Sequence, residues 1–137
     1  MIVLDASVAT KFINTQEKES DIAEKLLRAH IEEKEKIIIP SLLFFEVANA
    51  LATKTDLKEE YIKRGLCLLY DANFVIYEVN QEDIIEAALL AKKYKTSVYD
   101  MVYVVIAKNK KVNLITADNK FTNKVNFSFV QTLSKLN

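Results

Sequence analysis

The chain has 137 residues, with 19 basic and 19 acidic side chains and a pI near 6.6, so any nucleic-acid binding must come from a local patch and not from bulk basicity. Half of its residues are hydrophobic and 28% are charged, which excludes a disordered chain and suits a single domain over residues 1–137, able to bury about two thirds of its unfolded surface. One cysteine excludes an internal disulfide; Cys67, set among leucines in "GLCLLY", reads as a small core residue, and a reducing compartment is expected.

The chain opens on "MIVLDAS", a short apolar run that ends in Asp5 and reads as a buried strand leading into a helix at "ASVATKF". The run is too short for a signal peptide, and nowhere do ~18 apolar residues follow one another, so a cytoplasmic protein without a membrane span is expected. "ESDIAEKLLRAHIEEKEK" places Ile22, Leu26, Leu27 and Ile31 on one stripe of an amphipathic helix. His30, near its charged end, reads as a solvated or helix-C-terminal histidine. "KIIIP" is a second buried strand, and Ser41 behind its proline is the expected N-cap of the helix "SLLFFEVANALATK". "DLKEEYIKRGLCLLY" and "QEDIIEAALLAKKYK" repeat the helical period on either side of a third strand, "NFVIYEV". "DMVYVVIAK" has the β-branched content of a strand. The preceding "SVYD" fits a capping box, with Ser97 as N-cap and Asp100 three residues on, and so predicts a buried helix. "VNLITA" and "FSFVQTL" complete the set of strands. The alternation predicts an α/β fold, a three-layer α/β/α sandwich around a mostly parallel sheet.

Ligands of such sheets sit outside the carboxyl ends of the strands. That rule selects Asp5, after "IVL", and Asp118, one alanine beyond "LIT", at the same edge. Each acid also has a local reading: Asp5 as a helix cap, Asp118 in an Asx-turn, Asp100 in the capping box. Glu46 falls between Leu43, Val47 and Ala50 on an apolar helical face, where an unpaired charge is expensive to bury and a cation is the expected partner. If these carboxylates converge they repel one another, and a divalent cation is the natural compensation. Oxygen donors without a His or Cys pair suit Mg²⁺ or Mn²⁺ better than zinc.

Charge is divided along the chain: residues 92–137 hold nine lysines and only two acids, Asp100 and Asp118. Lys92, Lys93, Lys95, Lys108, Lys110, Lys111, Lys120 and Lys124 are therefore candidates to meet a phosphate backbone. Gly65, alone of its kind, excludes a glycine-rich phosphate loop, and Ser7 has no histidine partner within reach by sequence. A receiver-like phosphoacceptor domain wants adjacent acids after the first strand, where "VLDAS" has one.

"MIVLDAS", "PSLLFFEVANAL", "SVYDMVYVVIA" and "LITADNKF", in that order over residues 1–121, resemble the PIN-domain ribonuclease family, and most of all its VapC-type toxins. The resemblance implies that Asp5, Glu46, Asp100 and Asp118 form an acidic cluster that holds Mg²⁺ or Mn²⁺, with Ser7 and Thr116 supporting it by hydrogen bonds. It implies a metal-dependent endoribonuclease acting on RNA, the toxin of a VapBC-type pair with a cognate antitoxin. It also implies a homodimer, for which Leu57, Tyr61, Ile62, Leu66, Leu68 and Leu69 offer apolar surface. A housekeeping RNA-processing PIN nuclease, or a PIN scaffold that holds RNA or protein without cleaving it, carries the same blocks. Asn119 and Asn123 stand where some members have a further acid, which removes a ligand for a second tightly held ion.

Overall fold

The structure, a computed structural model, describes residues 1–136. Five strands, β1 (Ile2–Leu4), β2 (Ile37–Pro40), β3 (Val75–Tyr77), β4 (Asn113–Thr116) and β5 (Val130–Thr132), form one sheet in the order β3-β2-β1-β4-β5. Every pairing is parallel, so the sheet expected to be mostly parallel is wholly so. The connections hold helices α1 (Ala6–Ile13), α2 (Ser20–Ile31), α3 (Leu42–Thr53), α4 (Glu59–Asp71), α5 (Gln81–Tyr94), α6 (Val98–Lys110) and α7 (Asn119–Val125).

Helices on both faces require inner strands that are apolar throughout. Accordingly β2 is buried at every position and β4 at all but its first. The right-handed crossover rule puts α1 to α4 on one face and α5 to α7 on the other. The contacts agree: α1 packs on α2, α3 and α4, while α5 packs on α6. Because α6 lies between α5 and strands β1 and β4, Met101 to Ala107 are all buried. A helix with neighbours on every side is apolar all round, which is why a β-branched stretch is helical here. Its start is set locally, by Ser97 Oγ accepting the Asp100 N–H at 3.1 Å. Only this half of the expected capping box forms; the Asp100 carboxylate makes no return bond to the Ser97 N–H. A complete box occurs instead at α5, where Asn80 and Asp83 each cap the other's backbone.

Other local expectations are corrected by packing. Ser41 makes no side-chain cap bond. Cys67 is exposed, because α4 turns Gly65 and Leu69 inward and residue 67 falls on the far side. In α2 the buried stripe is Ile22, Ala23, Leu27 and His30, while Ile31 is 60% exposed. His30 does lie in the last turn of α2, as one of the two expected readings had it, but it is buried and not solvated. Its Nδ1 accepts the Ile37 N–H at 3.1 Å, which leaves Nε2 to donate to the Ala72 carbonyl at 3.0 Å. One imidazole thereby ties α2, the start of β2 and the turn after α4.

Gly65 sits where α4 touches α1: a Cβ there would lie 2.3 Å from Ile13 Cγ2 and 2.9 Å from Cγ1. These atoms are anchored close to the backbone and cannot swing away. Gly65→Ala is expected to lower stability by on the order of 1 kcal/mol, the overpacking cost exceeding the gain in helix propensity. Urea unfolding checks this, and adding Ile13→Ala should make the alanine at position 65 favourable.

Candidate active site

From β1 the chain winds outward through β2 and β3, then returns to β4 on the other side of β1. The switch point between β1 and β4 is where an open parallel sheet leaves a crevice at its carboxyl edge. Asp5 directly follows β1, and Asp118 follows β4 after Ala117. The Asp5 N–H donates to the Ile115 carbonyl at 3.3 Å, fastening one strand end to the other.

Both acids cap the helix they precede. Asp5 Oδ1 accepts the Ser7 N–H at 3.1 Å, and Asp118 Oδ1 accepts the Phe121 N–H at 2.9 Å. The local and functional readings are compatible, since a carboxylate has lone pairs to spare beyond one cap bond. Ser7 bridges the strand ends: its hydroxyl donates to Asp5 Oδ1 and accepts the Ala117 N–H at 2.9 Å. Thr116, fully buried, accepts the Asp118 N–H on Oγ1 at 3.1 Å and stands 3.4 Å from Ser7 Oγ.

Asp100, in the first turn of α6, and Glu46, midway along α3, close the arrangement. Asp5, Ser7, Glu46, Asp100 and Asp118 line one groove of about 480 Å³, which Tyr103 and Lys54 also border. Burial is the main force on the carboxyls. It pushes Asp5 up to about 6, against hydrogen bonds from Ser7 and Thr116 and with help from the Asp100 charge. Burial likewise raises Glu46, opposed by the Tyr103 hydrogen bond and Lys54 and reinforced by Asp100. Asp100 is raised first by burial and then by Asp118, against the Ser97 hydrogen bond. Asp100 is thus the acid through which the others are electrostatically linked.

Tyr103 is the residue that sequence reasoning missed. Its hydroxyl donates to Glu46 Oε1 at 2.6 Å, a neutral donor beside the Lys54 charge that also acts on this carboxylate. Burial and the neighbouring carboxylates push the Tyr103 pKa far upward, which keeps the proton on the phenol. The available signal was spacing: residue 103 lies one turn beyond Asp100, on the same side of the helix. Lys54, by contrast, reaches the groove from the acid-rich part of the chain, and nothing local marks it.

As the side chains lie, no three His, Cys, Asp or Glu groups among the described residues close around one point as ion ligands do. The fit to a divalent ion rests on donor chemistry. The groove offers carboxylate and hydroxyl oxygens with no imidazole or thiolate, a set for a hard cation. Its carboxyls are raised first by burial and then by one another, and a bound cation would offset both effects.

A doubly wound parallel domain thus presents at its switch point a groove rich in carboxylates and bordered by Lys11 and Lys54. Residues 2–126 match the PIN domain, and the chain belongs to that family, whose members are nucleases that generally use divalent metal ions. Curated protein sequences give no match. Among solved structures, PAE2754 from Pyrobaculum aerophilum superposes with a TM-score of 0.72 at 21% identity, over 98% of this chain and 90% of that one. VapC20 of Mycobacterium tuberculosis, described as a sarcin-ricin-loop-cleaving toxin, gives 0.71 at 12% identity over 90% and 94%. A toxin-antitoxin complex from Klebsiella pneumoniae gives 0.68 at 19% identity over 97% and 98%. At these identities the likeness establishes the fold.

Proposed function

We propose that this protein is a metal-dependent endoribonuclease that hydrolyses RNA phosphodiester bonds, and that it is the toxin of a VapBC-type pair. One observation carries the nuclease reading: Asp5, Glu46, Asp100 and Asp118, from separate elements of a PIN fold, line a single groove at its switch point. The toxin reading draws support from the likeness to VapC20 and to the Klebsiella complex, and the latter also favours an antitoxin protein as partner. Of the apolar residues expected to serve a homodimer, Leu69 is buried in the core and Leu57, Ile62 and Leu66 are half-buried, so the surface left for a partner is exposed Tyr61 and Leu68, with Phe45 and Tyr70. Among the described residues no helix is long and apolar enough to cross a membrane.

Asp5, Asp100 and Asp118 would hold Mg²⁺ or Mn²⁺, with Glu46 as a further ligand or as the group that orients the attacking water. When bound, such an ion polarises the scissile phosphate and lowers the pKa of water. The protein's own contribution is positional. Ser7 ties Asp5 to the end of β4, Thr116 holds the Asp118 backbone, and Tyr103 fixes one oxygen of Glu46. No side chain acts as a covalent nucleophile.

Cleavage of labelled single-stranded RNA with Mg²⁺, with Mn²⁺ and with EDTA tests the assignment. Turnover is expected in both metals and none in EDTA. A folded protein that binds neither ion by calorimetry would sink the carboxylate-site reading.

A further inference from the structure

Beside the acidic groove, on the far side of Asp100 and Asp118, lies a second hollow of about 230 Å³. Lys95, Lys120 and Lys124 converge on it from the end of α5 and from α7, and Thr96 forms part of its wall. Three other lysines of the same stretch are occupied elsewhere. Lys108 is paired with Glu86, and Lys93 and Lys110 lie over the rings of Tyr94 and Tyr77 at 5.5 and 5.8 Å. Among the described residues Lys95, Lys120 and Lys124 make no ion pair, although Asp100 and Asp118 border the same hollow. Lys124 only donates to the Lys95 carbonyl, at 2.6 Å.

The hydroxyl of Thr96 adds an independent observation. It is the one buried side-chain polar atom among the described residues without a hydrogen-bond partner. Buried polar atoms are nearly always satisfied, and an orphan commonly marks a missing water or ion. Thr96 lines the same hollow as the three lysines, so an anion held there by the lysines could offer its hydroxyl an oxygen acceptor.

We propose that Lys95, Thr96, Lys120 and Lys124 form a phosphate subsite that takes a backbone phosphodiester of the RNA strand next to the scissile one. The inference rests on the nuclease reading and deepens it. The division of labour follows from charge. The carboxylate groove repels a bare phosphate and accepts one only with a divalent ion, whereas the hollow sets three lysines against the two carboxylates on its wall and needs no metal to hold a phosphate. A strand lying across both is held by the lysines while the neighbouring phosphate is presented to the acids. The subsite contributes to binding and register and not to the chemical step.

The test compares Lys95→Gln/Lys120→Gln/Lys124→Gln with a charge-matched control on α2 and before β2, Lys25→Gln/Lys34→Gln/Lys36→Gln, after circular dichroism and thermal melts confirm that both fold. Steady-state cleavage of a labelled single-stranded RNA gives KM and kcat, and fluorescence anisotropy in EDTA gives Kd for the same RNA across a salt series. The subsite variant is expected to raise KM and the EDTA Kd by roughly tenfold, with a shallower salt slope by about 0.7 for one lost phosphate contact and kcat little changed. The control should stay close to wild type. Thr96→Val should weaken binding in the same direction without altering the salt slope, because it removes a donor and no charge. Equal weakening by both triple variants would reduce the effect to general electrostatics and overturn the subsite. Unchanged binding by the subsite variant, with cleavage intact, would overturn it and leave the nuclease standing. Wild-type protein that neither binds nor cleaves RNA would remove the nuclease reading and the subsite together. Inorganic phosphate, titrated against the RNA complex in EDTA, separates sources: competition only far above the RNA Kd supports a site built for the polymer, and competition at comparable concentration overturns that assignment.

Discussion

Asp100→Asn is expected to cut RNA cleavage by on the order of 100-fold or more, the scale of removing one preorganised electrostatic contact at a reacting centre, while the protein stays folded. The structure separates the two roles that Asp100 could have. Its contribution to the cap of α6 comes from its backbone N–H, which donates to Ser97 Oγ, and asparagine keeps that bond. Its carboxylate is raised by burial and by Asp118, and itself raises Asp5 and Glu46. Neutralising it relieves repulsion throughout the groove, so the melting temperature in EDTA should rise as activity falls. Ser97→Ala is the converse case: it removes the cap acceptor and should cost about 1 kcal/mol of stability with cleavage retained. An Asp100→Asn protein that is unfolded, or that cleaves at the wild-type rate, would refute the assignment.

Asp5 provides the second large effect, a pH dependence whose direction the metal reverses. Its carboxyl titrates at about 6 in the fold against an ordinary 3.8. The fold therefore favours the protonated form, and the stability this contributes is fully present below pH 3.8 and is lost as pH rises through 6. At 1.36 kcal/mol per pKa unit the loss at neutral pH is on the order of a few kcal/mol. In EDTA at pH 8, Asp5→Asn should accordingly melt on the order of 5–10 °C above wild type, and the difference should vanish by about pH 4. Added Mg²⁺ or Mn²⁺ should stabilise wild type through binding to the folded state alone and leave Asp5→Asn unmoved. Melting curves that run parallel for the two proteins across pH and metal would show that burial of Asp5 carries no such strain.

Much of this protein was legible without coordinates, for reasons that are local. A strand buried on both faces must be continuously apolar, so "MIVLD", "KIIIP" and "VNLITA" announced a parallel sheet, and the switch-point rule put Asp5 and Asp118 at one edge. Ser97 started α6 as a cap acceptor, and that overrode the strand-like content of "DMVYVVIAK". The acids of the groove were recoverable because each sits at a strand end, a helix start or an apolar face, where a charge is conspicuous.

What the sequence left open was pairing. Glu46 and Tyr103 are 57 positions apart, and whether a buried carboxylate finds a phenol or a cation depends on how α3 and α6 lie against the sheet. His30 and Cys67 exchanged their expected places, one bridging three elements and the other facing solvent, because helical faces are chosen by what docks on them and not by the polarity of neighbours in sequence. The lysines of the last third looked alike in the chain. Only the fold distinguished Lys108, Lys110 and Lys93, which meet Glu86, Tyr77 and Tyr94, from Lys95, Lys120 and Lys124, which gather with Thr96 around one hollow. Burial, caps and strand ends are properties of a few consecutive residues, whereas the partner of a charge is fixed by close packing between elements distant in sequence, such as the contact of Gly65 with Ile13 that sets α4 against α1.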